Sequence, residues 1–136
     1  MIIQTLIASA GVIGFGAIFG LSRNKLYIVG IFGFLAWMIY MVVKKIFQSE
    51  SIAMFVITVL IVLIAKLIGK KLKCPAVIIA TPVLIPFIPG ATLYLVMNDF
   101  VGNKDTLMVN LELLWNQVGA IVAGNLVAEA LYKDRN

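Results

Sequence analysis

Long apolar runs alternate with short polar segments along the chain, and this pattern sets the expected fold. Five apolar blocks cover about residues 2-21, 26-43, 52-68, 75-97 and 107-131. Each has the ~17–25 residues that an α-helix needs to cross about 30 Å of hydrocarbon. In lipid the backbone polar groups pair within their own segment, so helices rather than open strands are expected. The pattern predicts an all-α integral membrane protein: one transmembrane domain over residues 1-136, a bundle of about five transmembrane helices.

Composition favours a membrane protein over a soluble one. Apolar residues make up 62% of the chain and charged residues 12%, about half the charged share of soluble proteins. The net charge is +5, but the basic residues lie at the ends of apolar blocks, so nucleic acid is not an expected partner. Trp37 and Tyr40, near the end of the second block, are typical of interfacial anchors in a lipid bilayer.

The residue types present also limit the chemistry. The chain has no histidine and one cysteine, Cys74, so we expect no metal site, no cofactor and no disulfide within the chain. Histidine-based catalysis is excluded, and no helix carries paired carboxylates on one face. We therefore expect a protein that is not an enzyme.

Basic residues are distributed unevenly between the two sides of the predicted bundle. One side holds eight and the other three: Arg23, Lys25, Lys66, Lys70, Lys71, Lys73, Lys133 and Arg135 against Lys44, Lys45 and Lys104. The positive-inside rule then predicts an outside N-terminus and a cytoplasmic C-terminus.

Small residues mark the first block as a packing helix. Gly14, Gly16 and Gly20 lie in one run, and Gly16 and Gly20 have the GxxxG spacing. Small residues let helix backbones approach closely in lipid, so we assign these three glycines to helix packing. A substrate passage lined by bare backbone is the alternative.

The fourth block contains all four prolines of the chain: Pro75, Pro82, Pro86 and Pro89, the last followed by Gly90. Each proline inside a helix removes a backbone donor and clashes with the carbonyl one turn earlier. We therefore predict a Pro/Gly-broken fourth helix, formed as two half-helices or as one kinked helix. Such a break is tolerated at membrane depth where it is buried in protein or lines a polar cavity.

A break here has a chemical consequence. A half-helix beginning near Gly90 would have unpaired first-turn amides and a positive dipole end, which together suit a carboxylate. The candidate substrate-binding residues in this segment are Pro86, Pro89, Gly90, Ala91, Thr92 and Tyr94. A proline-kinked structural helix that binds no ligand is the alternative.

The fifth block adds polar side chains at membrane depth. Asn116 and Gln117 are candidates for further substrate contacts, because polar groups in a membrane helix normally face the bundle interior or a wet cavity. Glu112 is a candidate for proton or cation coupling. Interfacial or interhelical hydrogen bonding is the alternative for Glu112.

Two stretches carry a resemblance to a known family. The first is the glycine-rich run Gly14–Leu21, followed by a basic turn and a helix with Gly30 and Trp37. The second is Cys74–Tyr94, with its Pro-x-x-Pro-Gly segment. Together they resemble the threonine/serine exporter family, specifically its small membrane subunit, which is equivalent to the C-terminal membrane half of the fused exporters.

The resemblance implies a subunit of a secondary transporter in the bacterial inner (plasma) membrane. Its small-molecule substrate would be a hydrophilic metabolite, either threonine and serine or a dicarboxylate such as succinate. It implies a second membrane subunit carrying the N-terminal half of the exporter, or a homo-oligomer in its place. From the residues alone, a structural or assembly subunit and a small homo-oligomeric channel stay open as alternatives, as do the substrate and the coupling ion.

Overall fold

The computed structural model describes residues 2–102 and 104–133, and within these the chain forms six α-helices and one 3₁₀ turn. The prediction of an all-α fold is confirmed. The elements in order are α1 Ile2–Ile18, α2 Arg23–Phe47, α3 Glu50–Leu72, α4 Ala76–Leu84, the 3₁₀ turn Ile85–Phe87, α5 Gly90–Gly102 and α6 Leu107–Lys133.

The helices account for several membrane crossings. In the described residues, α2, α3 and α6 are each long and apolar enough to span a bilayer. The helix pair Ala76–Phe87 and Gly90–Gly102 is bent by 51° and adds a fourth span when the two segments are counted as one. The remaining apolar helix, α1, has 17 residues and is shorter than these spans. The protein is therefore a multi-pass membrane protein, and the predicted count of about five helices is met roughly.

The first helix ends three residues earlier than its apolar block, at Ile18. Gly20 has a φ of 76°, and its amide donates to the Ala17 carbonyl at 3.0 Å while the Leu21 amide donates to the Gly16 carbonyl at 3.1 Å. This pair of hydrogen bonds is a Schellman C-cap, which needs one residue in the left-handed conformation. Gly20 adopts that conformation without strain because it has no Cβ. Gly20 therefore terminates α1.

The predicted break in the fourth block is confirmed, and it takes the form of two half-helices. Pro82 lies inside α4, but Pro86 and Pro89 stop the helix because neither can donate to the preceding turn. The chain passes through the 3₁₀ turn, and Ile88 is extended with φ −62° and ψ 128°. A new helix, α5, then begins at Gly90.

The third helix is the centre of the bundle and packs on α2, α4 and α6. Ala53, Ile57, Ile61 and Ala65, spaced four residues apart, are each at most 1% exposed. Gly124 of α6 meets this helix closely, since a Cβ there would lie 2.8 Å from the Phe55 carbonyl oxygen. The fold thus holds α6 against α3, while α5 packs mainly on α6.

Candidate functional site

A cavity of about 140 Å³ lies at the break between α4 and α5. We call it the break cavity; its lining residues are Trp37, Tyr40, Glu50, Met54, Gln117 and every residue from 86 to 92. A single water needs roughly 10–15 Å³ measured in the same way. The break cavity is therefore large enough for a small metabolite.

One wall of the break cavity is the first turn of α5. The Leu93 amide donates to the Pro89 carbonyl at 3.0 Å, and the Gly90 amide donates to Ile88 at 2.7 Å. The amides of Ala91 and Thr92 are then the first-turn donors without an acceptor inside their helix. Apart from its chain neighbours and the backbone of its own helix, no atom lies within 4 Å of where a Gly90 Cβ would be, so this end of α5 is open.

Another wall carries a carboxylate, Glu50, at the start of α3. The Tyr40 hydroxyl donates to Glu50 Oε1 at 2.9 Å, and Lys44 Nζ lies 2.9 Å from the same oxygen. Gln117 Nε2 donates to Glu50 Oε2 at 3.1 Å. Ser49 caps α3 by accepting the Ile52 amide, and the dipole at the helix N-terminus favours the acid in the first turn. Three elements, α2, α3 and α6, thus hold one carboxylate in place.

Two buried polar atoms, on residues that line the break cavity together with Glu50, have no hydrogen-bond partner in the described part of the chain. They are the Gln117 Oε1 acceptor and the Trp37 Nε1 donor. Leaving a buried polar group unpaired costs about 1–3 kcal/mol, and native proteins pair nearly all of them. Trp37 and Gln117 both line the break cavity, where a polar ligand or an ordered water would satisfy these two atoms.

Aromatic packing fixes the break against α2. The rings of Trp37, Tyr40 and Phe87 form a triangle with centroid distances of 5.2, 5.3 and 5.4 Å. Aromatic pairs at this spacing stabilise by about 0.5–1.5 kcal/mol beyond their buried area. The cluster sets the position of the 3₁₀ turn relative to Glu50.

A second cavity of about 450 Å³ lies where α1 and α3 begin and α2 ends. We call it the end cavity; its lining residues are Gln4, Trp37, Tyr40, Met41, Lys44, Lys45 and Glu50. Trp37, Tyr40 and Glu50 line both cavities. These three side chains therefore stand between the helix break and one end of the bundle.

The predicted substrate residues and the coupling candidate Glu112 divide into two groups. Pro86, Pro89, Gly90, Ala91, Thr92 and Gln117 all line the break cavity. Tyr94 is 69% exposed, and Asn116 and Glu112 are also exposed; none of these three lines it. Glu112 has no hydrogen bond or ion pair to any residue that the structure describes.

The three glycines assigned to packing have different surroundings. A Cβ at Gly16 would lie 3.0 Å from Leu26 and 3.2 Å from Leu21, so Gly16 permits close packing at the α1–α2 turn. Gly14 has open space around it, and Gly20 is the C-cap of α1. Closer contacts between α1 and α2 occur at Gly30 and Gly33, which meet Ile13 and Val12.

Sequence reasoning missed Trp37, Tyr40, Lys44 and Glu50 as members of one site. The aromatic pair has the pattern of interfacial anchors, and the two charges lie near a predicted loop. The available signal was the Lys44-Lys45 pair on the side with fewer positive charges, followed by an acid at position 50.

Apolar spans around a polar cavity at a broken helix are found in many membrane transporters. The family model described as Threonine/Serine exporter, ThrE, matches residues 4–131. The chain belongs to this threonine/serine exporter family, which confirms the resemblance. It is thus a transporter subunit of the threonine/serine exporter type, from a family of transporters rather than enzymes. No curated protein and no solved structure matches the chain.

Proposed function

We propose that this chain is the small subunit of a secondary transporter that exports threonine and serine across the bacterial inner membrane. The amino acid occupies the break cavity. The N-terminus is outside and the C-terminus cytoplasmic, so the end cavity faces outward. The observation that carries the proposal is that a helix N-terminus and a carboxylate line the same small cavity.

The two charged ends of an amino acid match these two walls. Its carboxylate accepts from the free amides of Ala91 and Thr92, where the α5 dipole is positive. Its ammonium lies at Glu50 and donates to Gln117 Oε1, the buried acceptor that has no partner within the described chain. Trp37 Nε1, the unpaired donor, is left for the side-chain hydroxyl that threonine and serine share.

A dicarboxylate fits this cavity less well. Its second carboxylate would lie beside Glu50, and two like charges 4 Å apart repel by about 4 kcal/mol at an effective dielectric constant of 20. We therefore favour threonine and serine over succinate as substrates of this chain.

The break also supplies a hinge for alternating access. Ile88 and Pro89 join two half-helices that differ in direction by 51°, and α5 packs mainly on α6. A change of angle at the hinge moves the α5 amides relative to Glu50, which is fixed by α2 and α6. Such a movement opens the break cavity to one side of the membrane or the other.

The exposed face of α6 supports a second membrane subunit as partner. Glu112, Asn116, Gly119 and Ala123 share this face and are all exposed, and Glu112 lies about 7 Å along the helix from its start. A charged side chain facing lipid is unfavourable, by up to about 3 kcal/mol at mid-membrane. We propose that a helix of the second subunit covers this face, with its backbone close to Gly119.

Cross-linking identifies what covers this face. In a Cys74→Ser background, which removes the one native cysteine, Ala123→Cys is expected to cross-link to the second subunit when the two are co-expressed. Cross-linking between two copies of this chain would support a homo-oligomer instead, and would contradict the two-subunit proposal.

Export is tested directly with labelled L-threonine. Cells loaded with it and expressing both subunits should lose it saturably, and Glu50→Gln should slow the loss at least tenfold, because a hydrogen bond to a charged group contributes about 1.5–3 kcal/mol. Glu129→Gln is the matched control, since Glu129 pairs with Lys66 outside the break cavity. Unchanged efflux by a normally inserted Glu50→Gln protein would contradict the proposal, as would the non-saturating flux of a channel.

A further inference from the structure

Lys44 pairs with Glu50, the carboxylate to which the proposed function assigns the substrate ammonium. Its Nζ atom is 2.9 Å from Glu50 Oε1, and Tyr40 donates to that same oxygen. Gln117 binds the other oxygen, Oε2. The chain thus already holds a cation on the carboxylate to which the proposed function assigns the amino group of the substrate.

The two cavities show from which side Lys44 approaches Glu50. Glu50 lines both the break cavity and the end cavity, whereas Lys44 lines the end cavity. The Lys44 and Glu50 side chains are 45% and 35% exposed, and Lys44 Nζ also lies 5.8 Å from the centre of the Tyr40 ring. Lys44 therefore reaches Glu50 from the end of the bundle, and Gln117 reaches it from α6.

The backbone keeps Lys44 close to its partner. Lys44 is in the last turn of α2, where its carbonyl accepts the Gln48 amide at 3.0 Å. Only Gln48 and Ser49 separate α2 from α3, and Gln48 is left-handed with a φ of 50°. A cation on so short a connection acts at a high effective concentration, on the order of millimolar or above.

We propose that Lys44 is a tethered counter-ion that competes with the substrate ammonium for Glu50. This inference rests on the proposed function. When the amino acid leaves through the end cavity, Lys44 takes its place, so Glu50 is never left as an unpaired carboxylate in a partly buried site. The exchange weakens substrate binding and speeds release, which is the useful direction for an exporter.

The test is the affinity of the purified exporter for L-threonine, measured by calorimetric titration. Lys44→Met removes the charge but keeps the length, and we expect its Kd for L-threonine to fall about two- to fivefold. In efflux assays KM and kcat should fall together, because release becomes slower. Lys44→Arg keeps the positive charge, so its Kd, KM and kcat should stay close to those of the wild type.

Lys71→Met controls for the loss of one positive charge, because Lys71 is exposed, lines neither cavity and has no ion-pair partner among the described residues. It should bind threonine with the wild-type Kd. Tighter binding is not expected from a damaged fold, so a lower Kd for Lys44→Met supports the proposal. An unchanged or higher Kd for Lys44→Met overturns the proposal for Lys44. The proposed substrate site then still stands, provided that the wild type binds L-threonine and Glu50→Gln does not. Absent binding by the wild type, or retained binding by Glu50→Gln, contradicts the proposed function itself.

Discussion

Glu50 and Asp99 are both carboxylates within helical segments, but their surroundings differ. Asp99 is 3% exposed and accepts from Thr106 at 2.8 Å and from Asn110 at 2.6 Å, with Lys104 Nζ 3.7 Å away. All of its partners lie within eleven positions, across the turn that joins α5 to α6. Asp99 is therefore satisfied locally and ties two helices together.

Glu50 is held by partners from two other helices, one of them 67 positions away. It lines a cavity together with Gln117 and Trp37, which carry an unpaired buried acceptor and an unpaired buried donor among the described residues. A carboxylate whose hydrogen bonds all come from residues nearby in the sequence has a structural role. A carboxylate held by distant helices, next to polar atoms without hydrogen bonds, indicates a binding site. Substitutions that separate stability from transport test this distinction.

The largest effect on transport is expected from Gly90→Val. With no atom within 4 Å of the Cβ position, the variant should fold, and its branched side chain will cover the α5 amides. Loss of the charge-assisted bonds there, about 3 kcal/mol, lowers threonine efflux roughly a hundredfold. Gly11→Val, also in open space, is the control. Wild-type efflux by a stably inserted Gly90→Val protein would contradict a carboxylate site at this helix end.

Gly124→Val should disturb the frame that holds the Glu50 network. A Cβ at this position would lie 2.8 Å from the Phe55 carbonyl oxygen and 3.0 Å from Thr58 Cβ. Forcing α6 away from α3 destabilises the fold by about 1–3 kcal/mol and separates Gln117 from Glu50. Thermal melting of this chain in detergent measures the effect, with Gly119→Val, where space is open, as control. Equal melting temperatures for the two variants would argue against tight α3–α6 packing.

Asp99→Ala should lower stability and leave the site unchanged. Thr106 and Asn110 lose their acceptor, which costs about 1–3 kcal/mol and lowers the melting temperature by roughly 5 °C. The Kd for L-threonine should remain that of the wild type. Asp105→Ala, at an exposed position, is the control. A large loss of affinity without loss of stability would reverse the roles assigned to Asp99 and Glu50.

The smallest change in free energy, of binding or of unfolding, is expected from Tyr40→Phe. The variant keeps the ring packing with Trp37 and Phe87 but loses one of three hydrogen bonds to Glu50, so threonine affinity should fall about two- to tenfold. Tyr94→Phe, outside the break cavity, should have the wild-type affinity. A larger loss of threonine affinity for Tyr94→Phe than for Tyr40→Phe would place the substrate at a part of α5 outside the break cavity.

The break in the fourth block could be predicted because its cause is local. Pro86 and Pro89 remove donors wherever they occur in a helix, and Gly90 follows directly. The early end of α1 also has a local cause, the left-handed conformation of Gly20. A glycine is equally compatible with a helical conformation, so the sequence does not distinguish the two. The spacing Gly16-Gly20 therefore favoured continuation of the helix.

The carboxylate side of the site could not be predicted because it depends on packing. Asn116 and Gln117 are adjacent, so their side chains lie 100° apart about the helix axis, and the sequence alone does not say which of them faces the bundle. Gln117 is 2% exposed and contacts Glu50, whereas Asn116 is exposed. Only the docking of α6 on α3 brings a residue near position 117 to the start of α3.

The central claim is that an amino acid binds beside Trp37 at the broken helix. The chain has two tryptophans, and Trp115 is 80% exposed, so a Trp115→Phe variant, assembled with a second subunit whose tryptophans are replaced by phenylalanine, keeps Trp37 as the single fluorescent reporter. Titration of the purified exporter with L-threonine should change the Trp37 emission saturably, with a much weaker response to succinate. Emission that does not respond to L-threonine, or that responds equally to succinate, would contradict the account.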